Sequence, residues 1–262
     1  MKSVNSSEAQ ETASPWKYVT VSLVRHAQCE SNVNPNSKPD DADPDPLTSE
    51  GQSQATALGN SYAHTRIDVL LSSTYERAVS TALEISKSND NDVPITKEPN
   101  LIERKLGTSI PRLMSKGLFK TAIAERDGNL YDGSVNREHR PQGGGESLSD
   151  VERRSENVLA ILLKYAVALD KVPSVVEGND PVRRYEASTG DDDTGGLQEV
   201  PEGIKHVVLV SHNAYMGEFY EMLLSWGKDD HEQTAVHYGN TQWVTDDEET
   251  EVQFWDLKPP PS

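Results

Sequence analysis

The stretch VTVSLVRHAQCESN, which runs from Val19 to Asn32, decides how the rest of the chain can be interpreted. Its first six residues are mostly apolar or β-branched, which predicts a buried strand. The run stops at Arg25 and His26, a cation and an imidazole that are costly to bury without partners. Ligands of open α/β sheets bind just beyond the carboxyl ends of the strands. The stretch therefore predicts a first strand that ends in a functional site.

The composition narrows the classes of protein to consider. A formal net charge of -18 over 262 residues argues against nucleic acid or an anionic membrane surface as a partner. The one cysteine, Cys29, rules out an intramolecular disulfide framework and a zinc site built from cysteines. The longest apolar-rich stretch, residues 158–169, is too short to span a bilayer. We expect a protein of the cytoplasm or the nucleus.

Strand-like and helix-like segments alternate along the chain. Strands are predicted at about 18–25, 68–72, 93–97 and 206–211, and a hairpin at about 241–245 and 251–257 closes the sheet. Helical patterns separate the first four of these strands. This alternation predicts a three-layer α/β/α domain with a mostly parallel central sheet.

Four segments define the predicted domain organisation. Residues 1–16 are predicted to be a disordered tail, and residues 17–258 form the domain. Residues 108–146 are interpreted as a helical lid insertion, because long insertions in compact domains are usually functional or disordered. The acidic segment 174–203 is predicted to be a disordered insertion.

Polar residues follow three of the predicted strands. The first strand ends in Arg25 and His26, the second in Ser72 and Ser73 with Arg77 shortly after, and the last in Ser211 and His212. The carboxyl ends of parallel strands meet at one edge of a sheet, so these side chains should share one crevice. Two converging guanidiniums are stable opposite an anion, and their geometry suits phosphate.

Histidine in such a crevice can act as a nucleophile toward phosphorus. One ring nitrogen attacks if the other is held protonated by a backbone acceptor. The leaving oxygen then needs a proton from a carboxylic acid, for which Glu103 and Glu146 are the candidates. Spacing alone does not choose between them. Cys29 is excluded as the nucleophile, because cysteine-based phosphatase loops carry an arginine six residues on and Pro35 stands there.

Six motifs in order make the chain resemble the histidine phosphatase superfamily, also called the phosphoglycerate mutase-like family. A lone Arg-His pair would carry no information, but six ordered motifs are specific. The motifs span Leu23–Asn32 (LVRHAxxxxN), Leu47–Ala55 (LTxxGxxQA), Ser72–Ala82 (SSxxxRAxxTA), Leu101–Gly107 (LxERxxG), Gly145–Ser147 (GES) and Val208–His212 (VLVSH).

The resemblance implies roles for particular residues. His26 would be the nucleophile that becomes phosphohistidine, and Glu103 matches the family's acid position. Glu146 would orient the lid or a pocket arginine. The implied phosphate pocket consists of Arg25, Arg77, His212 and Asn32. Ser72 and Asn213 are further candidates for substrate binding, and no metal or cofactor is expected.

Departures from the family pattern favour a phosphatase over a mutase. Leu106 stands where mutases carry an aromatic residue, and an acidic, proline-rich loop replaces the segment after Asn32 that holds phosphoglycerate.

Ala27 and Asn213 replace glycines that are common in the family. The Gly-Gly-Glu-Ser segment ending at Ser147 is similar to one in the fructose-bisphosphatase-like branch.

We therefore expect a metal-independent phosphomonoesterase acting on a small phosphorylated metabolite. A phosphoglycerate mutase and a catalytically silent phosphate-binding module remain the alternatives, and the oligomeric state is left open. The other histidines show no pairing typical of metal ligands, so surface or capping roles are expected for them. They are His64, His139, His206, His231 and His237.

Overall fold

The structure, a computed structural model, describes residues 17–34, 45–128, 135–168, 200 and 202–225, and the backbone of 182–186 and 251–256. These residues form seven strands and seven helices. The strands are β1 (Lys17–Arg25), β2 (Val69–Ser72), β3 (Ile95–Lys97), β4 (Val167–Ala168), β5 (Val182–Glu186), β6 (Lys205–Ser211) and β7 (Glu251–Asp256). The helices are α1 (Glu30–Val33), α2 (Ser49–Ser61), α3 (Glu76–Ser88), α4 (Ser109–Ser115), α5 (Phe119–Asp127), α6 (Leu148–Leu162) and α7 (Asn213–Ser225).

The sheet is mostly parallel at its centre and mixed at one side. Its strand order is β3-β2-β6-β1-β7-β5, with β4 paired to the start of β1. The first four strands in this order are parallel, whereas β7 runs antiparallel to both β1 and β5. The parallel strands β1, β2 and β6 therefore open at the same edge.

Alternating side chains of β1 and β6 build two separate cores. Val21 and Val207 pack on one face with α6 and α7. Val24 and Val208 pack on the opposite face with α2 and α3. Because successive strand residues point to opposite faces, a continuous apolar run in a central strand supports a helix layer on each side. The prediction of a three-layer α/β/α domain is confirmed.

Four predicted segments can be compared with the structure. The tail 1–16 and the hairpin partner 241–245 lie outside the described residues, while 251–256 form β7. The segment 174–203 was expected to be disordered, but its residues Val182–Glu186 form a strand on the free side of β7. Tyr185 and Val182 are strand formers, and the pairing with β7 outweighs the acidic composition around them. Residues 108–146 do contain helices, α4 and α5, and their action as a lid stays a prediction.

Candidate active site

Motif residues from α2 and α3 hold the loop that follows β1. The amide of Ala27 donates to Thr81 Oγ1 at 3.0 Å, and the amide of Gln28 donates to Gln54 Oε1 at 3.0 Å. A side chain at Gly51 would place its Cβ 1.8 Å from the carbonyl oxygen of Gln28, so only glycine allows this approach. These contacts fix the backbone immediately after His26.

His26 lies at the carboxyl end of β1 and is buried. Its Nδ1 is 2.8 Å from the carbonyl oxygen of Ala27, and its Nε2 is 3.2 Å from Arg77 Nε. An arginine Nε can only donate, so Nε2 must carry the lone pair and Nδ1 the proton. Burial, and then the charges of Arg77 and Arg25, hold the pKa of His26 well below 6.5. The imidazole is therefore neutral at neutral pH, with an unprotonated Nε2.

His212, immediately after β6, is the second buried imidazole of the site. Its ring centroid is 5.0 Å from that of His26, and burial is the main cause that lowers its pKa. Its Nε2 is 2.8 Å from Ser73 Oγ. Its buried Nδ1 has no hydrogen-bond partner among the described residues. The second imidazole is thus held beside His26 by its contact with Ser73.

Ser73 rather than Ser72 contacts His212. Ser72 is the last residue of β2, and its hydroxyl donates to the carbonyl oxygen of Ser73 at 2.9 Å. The two hydroxyls therefore serve different purposes, since Ser73 Oγ also accepts from the amide of Tyr75. Ser73 is therefore added to the candidate pocket, and substrate binding by Ser72 stays a prediction.

Arg25 and Arg77 both reach the space beside His26. Burial lowers the pKa of Arg25, while the nearby charge of Glu103 favours its charged form. The Arg77 guanidinium lies 4.9 Å from the centroid of the Tyr75 ring. It also pairs with Asp45 Oδ2 at 3.2 Å. The site thus contains two cations that a phosphoryl group could engage.

The two candidate carboxylates occupy different surroundings. Glu103 accepts from the amides of Arg104, Ala214 and Tyr215, at 2.8, 3.3 and 3.1 Å. Two of these donors belong to the first turn of α7, so Glu103 is held at a helix N-terminus next to His212. This position near Arg25 and His212 fits the acid position that the resemblance implies.

Glu146 holds an arginine instead. It accepts from the amide of Lys105 at 2.9 Å, and its Oε1 lies 3.3 Å from Arg154 Nε. Arg154 is buried on α6, and its charge contributes to lowering the pKa of His212. Glu146 therefore orients an arginine that neighbours the second histidine.

Asn32 and Cys29 interact with each other in the loop that follows His26. Asn32 Oδ1 lies 3.1 Å from the amide of Cys29 and 3.2 Å from its Sγ. Burial raises the pKa of the Cys29 thiol, which disfavours the thiolate that a cysteine nucleophile needs. Asn213 is the first residue of α7 and is half-buried.

Sequence reasoning missed Asp45 and Tyr75, which both contact Arg77. Asp45 belongs to the acidic, proline-rich loop after Asn32, whose composition is typical of a solvated loop, yet it is 4% exposed. The position of Asp45 could have indicated its burial. It lies two residues before the Leu47-Thr48 motif, and that motif is hydrogen-bonded to the loop after β1. The amide of Thr48 donates to the carbonyl oxygen of Gln28 at 3.1 Å.

The described residues contain no group of three or more metal-ligand side chains. Within the same part of the chain, no helix is long and apolar enough to cross a membrane.

The chain is similar to known proteins over most of its length. Phosphoserine phosphatase 1 of Hydrogenobacter thermophilus is 26% identical over 215 residues, which cover 77% of this chain and 96% of that protein. The solved structure of mycobacterial glucosyl-3-phosphoglycerate phosphatase has a TM-score of 0.52 at 20% identity and covers 80% of each chain. Phosphoglycerate mutase from Bacillus anthracis has a TM-score of 0.51 at 18% identity, covering 85% of this chain and 87% of that one. At these identities the two structures establish the fold alone.

A family model described as the histidine phosphatase superfamily, branch 1, matches residues 21–167. The match includes the last five residues of β1 with Arg25, His26 directly after them, the first turn of α3 with Arg77, and the loop with Glu103. It spans more than half of the 262 residues. The chain therefore belongs to the histidine phosphatase superfamily.

Proposed function

We propose that this protein is a phosphomonoesterase that hydrolyses a small phosphorylated metabolite through a phosphohistidine on His26. The observation that carries the proposal is the protonation pattern of His26. Its Nδ1 proton is held by a backbone carbonyl, and its Nε2 lone pair faces Arg77. A neutral imidazole fixed in this tautomer is ready to attack phosphorus.

The first half of the reaction transfers the phosphoryl group to the enzyme. His26 Nε2 forms a bond to phosphorus as the bond to the leaving alcohol oxygen breaks. Glu103 must carry a proton in the substrate complex for this step; it gives that proton to the leaving oxygen, and the alcohol departs. Arg25 and Arg77 offset the negative charge on the phosphoryl oxygens, and His212 Nδ1 supplies a further contact.

The second half regenerates the free enzyme. Glu103, now a carboxylate, takes a proton from water as the water oxygen attacks phosphorus. The bond between phosphorus and Nε2 breaks, and inorganic phosphate leaves. None of these steps requires a metal ion, because the arginines carry the positive charge that the phosphoryl group needs.

The relative from H. thermophilus supports a phosphatase, because its name specifies phosphoserine phosphatase. We propose a small phosphate monoester of this general class as the substrate, with sugar phosphates and bisphosphates included.

The test is turnover of a panel of phosphate monoesters, with and without a metal chelator. Wild type should release phosphate from at least one compound in chelator, and His26→Ala should lower kcat/KM by about 10⁴-fold or more. Acid-labile, base-stable labelling of wild type but not of His26→Ala would identify the phosphohistidine. Equal rates for the two proteins would refute the proposal. Activity that depends on a bisphosphorylated primer would indicate a mutase, and phosphate binding without turnover a silent module.

A further inference from the structure

Asp45 is a buried carboxylate in the pocket that has no part in the mechanism above. The chain brings it there by pairing residues 45–48 with residues 28–31. The amide of Glu30 donates to the carbonyl oxygen of Pro46, and Cys29 forms a β-bridge with Leu47. This pairing places Asp45 beside Ser31 and within reach of Arg77.

The Asp45 carboxylate is held on both of its oxygens. Oδ1 accepts from the amide of Ser31 at 3.1 Å. Oδ2 accepts from the Ser31 hydroxyl at 2.8 Å and from Arg77 Nη1 at 3.2 Å. Its side chain is only 3% exposed. The negative charge is therefore fixed in place rather than free to move into solvent.

Two of the three guanidinium nitrogens of Arg77 have hydrogen-bond partners. Nε donates to His26, Nη1 donates to Asp45, and the face of the guanidinium lies over Tyr75. A phosphoryl group that His26 attacks must displace the contact between His26 Nε2 and Arg77. It would then share the guanidinium with Asp45, and two like charges in a partly desolvated pocket repel each other.

We propose that Asp45 weakens phosphate binding at this site, so that inorganic phosphate leaves after hydrolysis. The proposal rests on the proposed function, since it concerns the product of that reaction. Asp45 acts through Arg77 and is thus a positioning residue that also lowers the net positive charge of the pocket. A pocket with two arginines and no such carboxylate would retain its product more tightly.

Binding of inorganic phosphate to full-length protein, measured by calorimetry, tests the proposal without turnover. Asp45→Asn removes the charge at nearly constant volume, and we expect phosphate to bind about tenfold more tightly than to wild type. With a turned-over substrate, KM and the inhibition constant of phosphate should fall together by a similar factor, while kcat does not rise. A residue that merely holds Arg77 in place would give the opposite sign, namely weaker phosphate binding.

Glu76→Gln is the matched control, because Glu76 is an exposed carboxylate next to Arg77 in sequence, on the first turn of α3. It makes the same change of charge and should alter phosphate affinity by less than about twofold, as expected for a screened surface charge. Asp45→Ser provides a second neutral variant if Asp45→Asn does not fold, as judged by circular dichroism.

The outcomes separate this proposal from the proposed function. Unchanged or weaker phosphate binding in the folded neutral variants overturns the role of Asp45 and leaves the phosphatase intact. An equal tightening of phosphate binding in Glu76→Gln also overturns the role of Asp45, because the change in affinity would then come from the overall charge of the protein. Wild type that neither binds phosphate nor hydrolyses any ester refutes both.

Discussion

Two buried histidines, His206 near the start of β6 and His26 beyond the end of β1, are nearly identical in their chemistry and differ in what they can do. Each donates its Nδ1 proton to a backbone carbonyl, His206 to that of Arg66 at 2.7 Å and His26 to that of Ala27 at 2.8 Å. Burial lowers the pKa of both, that of His206 to about 4.

The difference lies on the other ring nitrogen. Nε2 of His206 accepts from the Ser22 hydroxyl at 2.7 Å, inside the sheet. Nε2 of His26 accepts from Arg77, a group that an incoming anion can draw away. Neutrality and a fixed tautomer are thus shared by a structural and a candidate catalytic histidine. The position at the carboxyl edge of the sheet distinguishes the candidate nucleophile.

The largest expected effect that sharpens this comparison is on stability. His206→Ala should lower the free energy of unfolding by about 3 kcal/mol, because it leaves a cavity and two buried polar partners unpaired. Urea denaturation followed by circular dichroism measures the change, and kcat of the folded fraction should stay at the wild-type value. His26→Ala is the comparison variant and should lose activity without a loss of this size in stability. A stable His206→Ala would mean that its two hydrogen bonds contribute little.

A somewhat smaller effect is expected from pH. The pKa of His206 is about 4 in the folded protein and near 6.5 when unfolded, so the unfolded chain binds the extra proton between these values. Its contribution to stability is complete above pH 6.5 and falls with pH, by about 2 kcal/mol between about pH 7 and pH 5. The difference in unfolding free energy between wild type and His206→Ala should narrow by that amount over this interval. A constant difference would contradict the lowered pKa.

The sequence predicts the edge of the sheet better than its interior. Arg25, His26 and His212 could be placed in one crevice because each follows an apolar run, and parallel strands end together. His206 begins such a run and was expected at the surface or in a cap, which is wrong. Its hydrogen bonds to Ser22 and Arg66 connect parts of the chain more than a hundred residues apart, and no local pattern encodes them.

The same reason explains what the sequence could not assign within the site. Glu103 and Glu146 both follow loop segments, and their separation into a helix N-terminus and an arginine pair depends on contacts with α7 and α6. Asp45 was hidden in an acidic run that is typical of a solvated loop. Its burial follows from the pairing of its neighbours with the loop after β1, which is a tertiary contact.

The smallest expected effect concerns the activity of the edge histidine at mildly acid pH. Between about pH 7 and pH 6, a histidine with the ordinary pKa of about 6.5 would lose about threefold in its neutral fraction. The pKa of His26 lies well below that value, so kcat/KM, which reports the free enzyme, should change by less than about 1.5-fold. The measurement uses the best substrate of the panel, with its own ionisation subtracted. A threefold fall in kcat/KM that a reference reaction without ionisable groups does not show would mean that the pKa of His26 lies near its ordinary value. His26 would then differ from His206 in its solvation as well as in its hydrogen-bond partners. The two histidines would share only the tautomer.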